Sequence, residues 1–236
     1  MRSLTAYMLR SYTVSQRYFG PVAFIIIADL ILYSYKPNPV MNSYAATAVI
    51  LFIGAAWMGL SFLNHEMPVQ RQVAIVQLGS KRKYSVGSIL VLGYLVLVLD
   101  LLIVAYPVLL GYFVEPAGVY RIMLAFAGHA LLGFLGAAIS LYLQASWVSR
   151  NSYAAGILLA VLILSVGANK LSHLIPGPFV RVLLPPVAPV MNAMMNADKL
   201  PVSALLGSFA HALAYIAVLI GFYLYQCGRK DVNKSY

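Results

Sequence analysis

Six long apolar blocks divide this 236-residue sequence and constrain what it can fold into. They cover residues 18–35, 44–63, 86–113, 121–147, 153–168 and 202–225. A helix needs about 20 mostly apolar residues to cross a hydrocarbon core of about 30 Å. The blocks lack the alternation of barrel strands, so helices are the remaining way to pair every backbone polar group in lipid. The sequence therefore predicts an all-α, polytopic membrane protein: a single transmembrane domain over residues 1–236 with six transmembrane helices.

Lysine and arginine fall unevenly on the two sides of such a domain. Six spans place both termini on one side, and loops rich in these residues stay in the cytoplasm. Both termini of this multi-pass protein of the cell membrane are therefore predicted to be cytoplasmic. The topology and anionic lipid head groups account for the net charge of +10, which gives no support to nucleic-acid binding. The side that carries the termini holds eleven of the sixteen basic residues: Arg2, Arg10, Arg17, Arg71, Lys81, Arg82, Lys83, Arg150, Arg229, Lys230 and Lys234.

Residues 1–17, before the first span, form a basic and mildly apolar segment. Leu4, Met8 and Tyr12 share one helical stripe, with Arg2 and Arg10 off it. The pattern predicts a helix lying in the membrane interface, and a frayed basic tail is the alternative.

The loop between the second and third spans is the most informative stretch. Pro68 suits the first turn of a helix and Gly79 the residue just past its end, while Val69, Val73 and Val76 recur at helical spacing. The pattern predicts a short amphipathic cytoplasmic helix that needs a surface to dock on. Lipid, another part of the chain and a cytoplasmic partner protein all fit that requirement.

Residues 169–201 form a proline-rich segment on the other side. Its apolar pieces, 179–184 and 187–195, are too short to cross a membrane. Re-entrant half-helices and an ordinary loop are both compatible with this composition.

The second loop carries a resemblance to a known family. An acidic residue leaves the second span, a short helix follows, and a Gly-Ser with basic residues leads into the third span. Together with six spans, cytoplasmic termini and an interfacial helix, this resembles the ABC-2 type permease family of ATP-driven exporters across essentially the whole chain. The residues are Glu66, Arg71, Gln77-Leu78-Gly79-Ser80, Lys81-Arg82-Lys83-Tyr84 and Gly87.

The resemblance implies a separate role for each of several segments of the chain. Residues 64–85 would hold a coupling helix that enters a groove on a separate cytoplasmic ATPase subunit, where ATP and Mg are bound. Residues 1–17 would be an elbow helix on the inner leaflet, and 169–201 would dip into the outer leaflet as a gate. A second permease subunit, identical or different, would complete the transporter. The expected ATPase contacts are Glu66, Arg71, Val73, Val76, Gly79 and Ser80.

Catalytic motifs are missing from this sequence. It has no Gly-x-x-x-x-Gly-Lys-Ser/Thr phosphate loop, so ATP hydrolysis is expected on the partner. His65-Glu66 is followed by Met67-Pro68-Val69, which does not fit the zinc pattern His-Glu-x-x-His. We therefore expect neither an enzyme, nor a metal site, nor a cofactor bound to this chain.

Four ionisable residues fall inside the spans, where a charge costs at least about 2.5–3.5 kcal/mol. They fit a proton or substrate path, interior hydrogen bonding between helices, or a polar patch in an exporter lumen. They are Asp29, Asp100, His129 and His211.

Small residues recur on two of the spans and favour close helix contacts. Packing within the chain and a dimer seam explain them equally well. They are Ala55 and Gly59 on the second span, and Gly133, Gly136, Ala137 and Ser140 on the fourth.

The function expected from these features is that of the permease subunit of an ABC exporter. Its apolar, weakly charged spans suggest an amphipathic, lipid-like or hydrophobic peptide substrate. An ion-gradient-driven secondary transporter or channel, or a membrane scaffold without transport, is the alternative.

Cysteine labelling tests the orientation. Cysteines placed near Asn38 and Asp198 should react with an impermeant reagent added outside intact cells, because both sites lie on the side with fewer positive charges. A cysteine at the C-terminus should stay unlabelled. Reaction of a cysteine replacing Arg82 would show that the orientation is wrong.

Overall fold

The computed structural model describes residues 1–148, 150–174 and 183–232, without the side chains of 172–174 and 230–232. The described residues are mostly helical and contain no β-strand, only one isolated β-bridge between Asn38 and Phe113. The helices are α1 (Arg2–Val14), α2 (Phe19–Leu32), α3 (Val40–Leu63), α4 (Pro68–Leu78), α5 (Lys81–Leu109), α6 (Gly118–Ser140), α7 (Asn151–Val166), α8 (Ala168–Leu174), α9 (Val187–Met195) and α10 (Val202–Val232).

Four of the described helical segments are long and apolar enough to cross a membrane. They are Val40–Leu63, Lys81–Leu109, Gly118–Leu143 and Val202–Arg229. The pair α1 and α2 meets the same criteria only when taken together, and it is bent by 75°. The bend lies where Gln16 adopts a φ of 55° in the left-handed region. The predicted helical membrane protein is confirmed, with four or five candidate spans, while the count of six stays a prediction.

The closest helix packing is between α3 and α6, which share the most extensive contact in the described part of the chain. A Cβ atom added to Gly136 would lie 2.3 Å from the backbone carbonyl oxygen of Phe52. One added to Gly59 would lie 2.8 Å from the Cβ atom of Ser140. These small residues therefore serve packing within the chain, which decides between the two readings of the sequence for this seam.

The other helices surround this pair. Leu4, Met8 and Tyr12 form the buried face of α1, and α1 packs on α5, where Gly87 leaves room for Leu4. The predicted stripe of α1 thus contacts the protein itself. By contrast, only 17% of the most apolar window of α10 is buried, against 61% in both α3 and α6.

The bundle has two ends. The first, called the α4 end, carries α1, α4, the start of α5 and the residues that follow α6. The opposite end carries the loops that follow α2 and α5, together with α9. Within the proline-rich region, α9 has a buried face formed by Val187, Ala188, Val190, Ala193 and Met194. The predicted half-helix at 187–195 is therefore helical, whereas most of the piece at 179–184 lies outside the described residues.

Replacing Gly136 by alanine tests the central contact. The added methyl meets backbone, which cannot rotate away, so we expect a loss of about 1–3 kcal/mol in unfolding free energy. Gly156→Ala on α7 is the control, because no atom lies within 4 Å of its added Cβ. Thermal unfolding in detergent measures both, and equal effects would contradict the packing described here.

Candidate functional site

Local sequence sets both ends of α4. Pro68 occupies its first turn, and the backbone N–H of Met67 donates to Oε1 of Gln70 at 3.3 Å. Gly79 ends the helix with a φ of 65°, a conformation that favours glycine. Ser80 then caps α5 by accepting from the N–H of Lys83 at 3.3 Å. The predicted helix at 68–78 is confirmed with its boundaries.

The two edges of α4 have different surroundings. Ala74, Ile75 and Leu78 on the inner edge pack against the core of the bundle. On the outer edge Val69, Val73 and Val76 are exposed, at 70%, 51% and 79%. A groove of about 440 Å³ separates α4 from α1 and is lined by Ser3, Leu4, Tyr7, Val69, Val73 and Leu78 among others. The outer edge therefore has no cover within the described residues.

Glu66 lies beneath α4 in a pocket of aromatic side chains. Its side chain is 3% exposed, and Tyr84 on α5 donates to its Oε2 atom at 2.5 Å. Partial burial and the neighbouring Glu66 raise the pKa of Tyr7 above its ordinary value. His65 donates from Nδ1 to the carbonyl of Phe62 at 2.5 Å, because a backbone carbonyl can only accept, and its Nε2 lies 3.1 Å from the hydroxyl of Ser11.

A second line of hydrogen bonds ties α4 to the core. Arg71 donates to Oε1 of Gln144, a buried residue just after α6. Nε2 of Gln144 donates to the hydroxyl of Tyr223 on α10 at 2.6 Å, which donates to Ser85 on α5 at 3.2 Å. We call Arg71, Gln144, Tyr223 and Ser85 the polar line. It joins α4, α5, α10 and the segment after α6.

Asn64 fixes the start of the same loop. Its Oδ1 accepts from the N–H of Ala145 at 2.7 Å, and its Nδ2 donates to the carbonyl of Leu143 at 3.2 Å. Its own carbonyl accepts from Arg17 at 2.8 Å. The end of α3, the end of α6 and the turn before α2 are thus held together.

The four ionisable residues expected inside the spans have different surroundings. His129 donates from Nδ1 to the carbonyl of Ala125 at 2.7 Å, and its Nε2 lies 2.8 Å from Thr47 on α3. His129 therefore links α6 to α3, and both of its ring nitrogens have hydrogen-bond partners. His211 is exposed on α10. Asp29 and Asp100 are buried, and neither oxygen of Asp100 has a hydrogen-bond partner among the described residues.

The opposite end is closed by an ionic cluster. Arg121 at the start of α6 pairs with Glu115 at 2.5 Å and with Asp198, beyond α9, at 2.9 Å. Backbone bonds of 3.0 Å from Asn38 to Tyr112 and from Val114 to Asn38 add the loop after α2.

Comparisons of this chain with protein-family models, with curated proteins and with solved structures find no match. Among the described residues, no group of three or more His, Cys, Asp or Glu side chains is placed to hold a metal ion. The α4 end presents an exposed apolar edge on a helix that is hydrogen-bonded through Arg71 to Gln144.

Of the expected contact residues, Glu66 and Arg71 face inward, Val73 and Val76 face outward, and Gly79 and Ser80 shape the turn. Gln144 and Tyr223 were not predicted from the sequence. Gln144 could have been noticed, because it is an uncharged amide within an apolar block. Nothing in the sequence singles out Tyr223, because tyrosine is common along the whole chain.

Removing the Tyr223 hydroxyl tests the polar line. Tyr223→Phe deletes two buried hydrogen bonds and should lower the unfolding free energy by about 1–3 kcal/mol. Tyr225→Phe, on an exposed residue of the same helix, should change it by less than about 0.5 kcal/mol. Equal effects in thermal unfolding would mean that the line does not stabilise this end.

Proposed function

We propose that this chain is the membrane-spanning permease subunit of an ATP-driven ABC exporter. In this proposal α2, α3, α5, α6, α7 and α10 are the six spans, the α4 end faces the cytoplasm, and α1 lies along the inner leaflet. The surplus of positive charge on the side of the termini supports this orientation. The short α2 and α7, about 21 and 24 Å long at 1.5 Å per residue, require local thinning of the bilayer or flanking residues to complete their spans.

The observation that carries the proposal is the outer edge of α4. It is an apolar, exposed edge on a short capped helix outside the candidate spans, next to a groove. Exposed apolar surface of this kind marks an interaction site. In the proposal Val69, Val73 and Val76 enter a groove on a separate cytoplasmic ATPase, which binds ATP and Mg.

The inner edge of α4 supports a coupling role. A helix that only anchored a partner would need no buried polar connection to the spans. Here Arg71 and Glu66 connect α4 to α5, to α10 and to the end of α6. Closure of the ATPases would push α4, and these bonds would pass the movement to the spans.

The rest of the transporter follows from the same proposal. A second permease subunit, identical or different, completes the path, and the cavity between the two subunits switches sides. The apolar helices favour an amphipathic, lipid-like or hydrophobic peptide cargo. The ionic cluster of Arg121, Glu115 and Asp198 would close the external end.

Charging the outer edge of α4 tests the proposal. Val73→Asp combined with Val76→Asp should leave expression and membrane insertion intact, because both side chains are exposed in the chain alone. Each aspartate should weaken ATPase binding by a few kcal/mol if the contact excludes water. ATPase co-purification and ATP-dependent export should both fall.

Val114→Asp is the matched control, because Val114 is an equally exposed valine at the opposite end. It should keep both the ATPase and export. A folded double variant that keeps its ATPase and still exports would refute the coupling role. Loss of membrane-surface association, with transport following an ion gradient, would establish the secondary transporter instead.

A further inference from the structure

Two polar side chains, one in the last turn of α2 and one just after it, are buried without hydrogen-bond partners among the described residues. Asp29 and Tyr33 lie one helical turn apart and are 6% and 1% exposed. Oδ1 of Asp29 and the hydroxyl of Tyr33 have no hydrogen-bond partner among the described residues. Since buried polar groups are normally paired, these atoms require an explanation.

Aromatic rings surround Tyr33. The ring of Tyr33 lies 5.9 Å from that of Tyr106 on α5 and 5.5 Å from that of Tyr112. Its hydroxyl faces Thr47 on α3, which bonds to His129 on α6 at 2.8 Å.

The titratable neighbours of the pair are tyrosines, with His129 and Lys36 one contact further away, behind Thr47 and Tyr112. Lys36 in the following loop is engaged elsewhere, with its ammonium group 3.7 Å from the centre of the Tyr112 ring. His129 is engaged through both ring nitrogens, with Thr47 and with the carbonyl of Ala125. The titratable groups nearest to Tyr33 are Tyr44, Tyr106 and Tyr112.

An ionised Asp29 would be an unpaired charge inside the bundle. A proton on the carboxyl removes that charge and turns one oxygen of Asp29 into a donor. We propose that Asp29, beside Tyr33 and the Thr47–His129 pair, is a proton-binding site, and that its proton holds α2 against α3. This inference does not rest on the exporter proposal.

Loss of the proton should affect the contact between α2 and α3, which is close and contains a tryptophan whose fluorescence can report the change. Ile25, one turn before Asp29, fills the space above Gly54 on α3, where an added Cβ would lie 2.3 Å from it. The ring of Phe24 lies 6.1 Å from that of Trp57, also on α3. Loss of the proton leaves a carboxylate at this interface, so α2 should loosen and the surroundings of Trp57 should change.

Infrared spectroscopy of the purified full-length chain tests the proton directly. At neutral pH a protonated-carboxyl C=O band should be present, and Asp29→Asn should remove part of it. Asp198→Asn, which changes an exposed ion-paired carboxylate, should remove none. In Asp100→Asn, which eliminates the other buried acid, a protonated-carboxyl band should persist. Loss of the band in that variant, or an unchanged band in Asp29→Asn, would overturn the proposal.

Fluorescence of Trp57 tests the link to α2. In a Trp147→Phe background, raising the pH should shift the emission of Trp57. The Asp29→Asn variant should show no such shift, because an asparagine side chain is neutral at every pH. A shift of the same size in both proteins would show that the proton on Asp29 does not control the packing of α2.

Discussion

The contact between α3 and α6 sets the positions of the other helices. Gly136 brings the backbone of α6 against the carbonyl of Phe52, and the Thr47–His129 bond joins the same two helices. In a membrane, where lipid is as apolar as the side chains, close backbone approach and interhelical hydrogen bonds take over much of the work that the hydrophobic effect does in water. The remaining helices then pack around this pair, so the positions of the residues at both ends of the bundle depend on it.

Because that pair is fixed, polar groups at the α4 end can be placed accurately. The residues after α6 place Gln144 between Arg71 and Tyr223, and Asn64 closes the end of α3 onto the same segment. Glu66 and Arg71 each find an uncharged partner, so the inner edge of α4 is connected without a direct ion pair between them. The outer edge keeps three exposed valines. This contrast between a connected edge and an uncovered one is the physical basis of the proposed coupling.

The helical class and the whole of α4 were predictable from the sequence. Long apolar blocks indicate helices buried in lipid, and Pro68 and Gly79 mark the two ends of α4. Other helix boundaries differ from the predicted ones, because an apolar block does not show where a helix is capped. The helix α5 begins at Lys81, after the Ser80 cap, although its apolar block starts at residue 86. The role of the small residues could not be predicted, because spacing does not identify the facing helix. Partners such as Gln144 and Tyr223, 79 positions apart, are set by packing alone. The orientation and the six spans stay predictions.

Affinity purification of the unmodified chain from native membranes in mild detergent tests the central claim, a permease driven by a separate ATPase. A subunit with a Gly-x-x-x-x-Gly-Lys-Ser/Thr phosphate loop should co-purify in constant ratio to the chain, and the complex should hydrolyse ATP while the isolated chain does not. Purification without any nucleotide-binding subunit, from membranes in which the chain catalyses ion-gradient-driven transport, would contradict it.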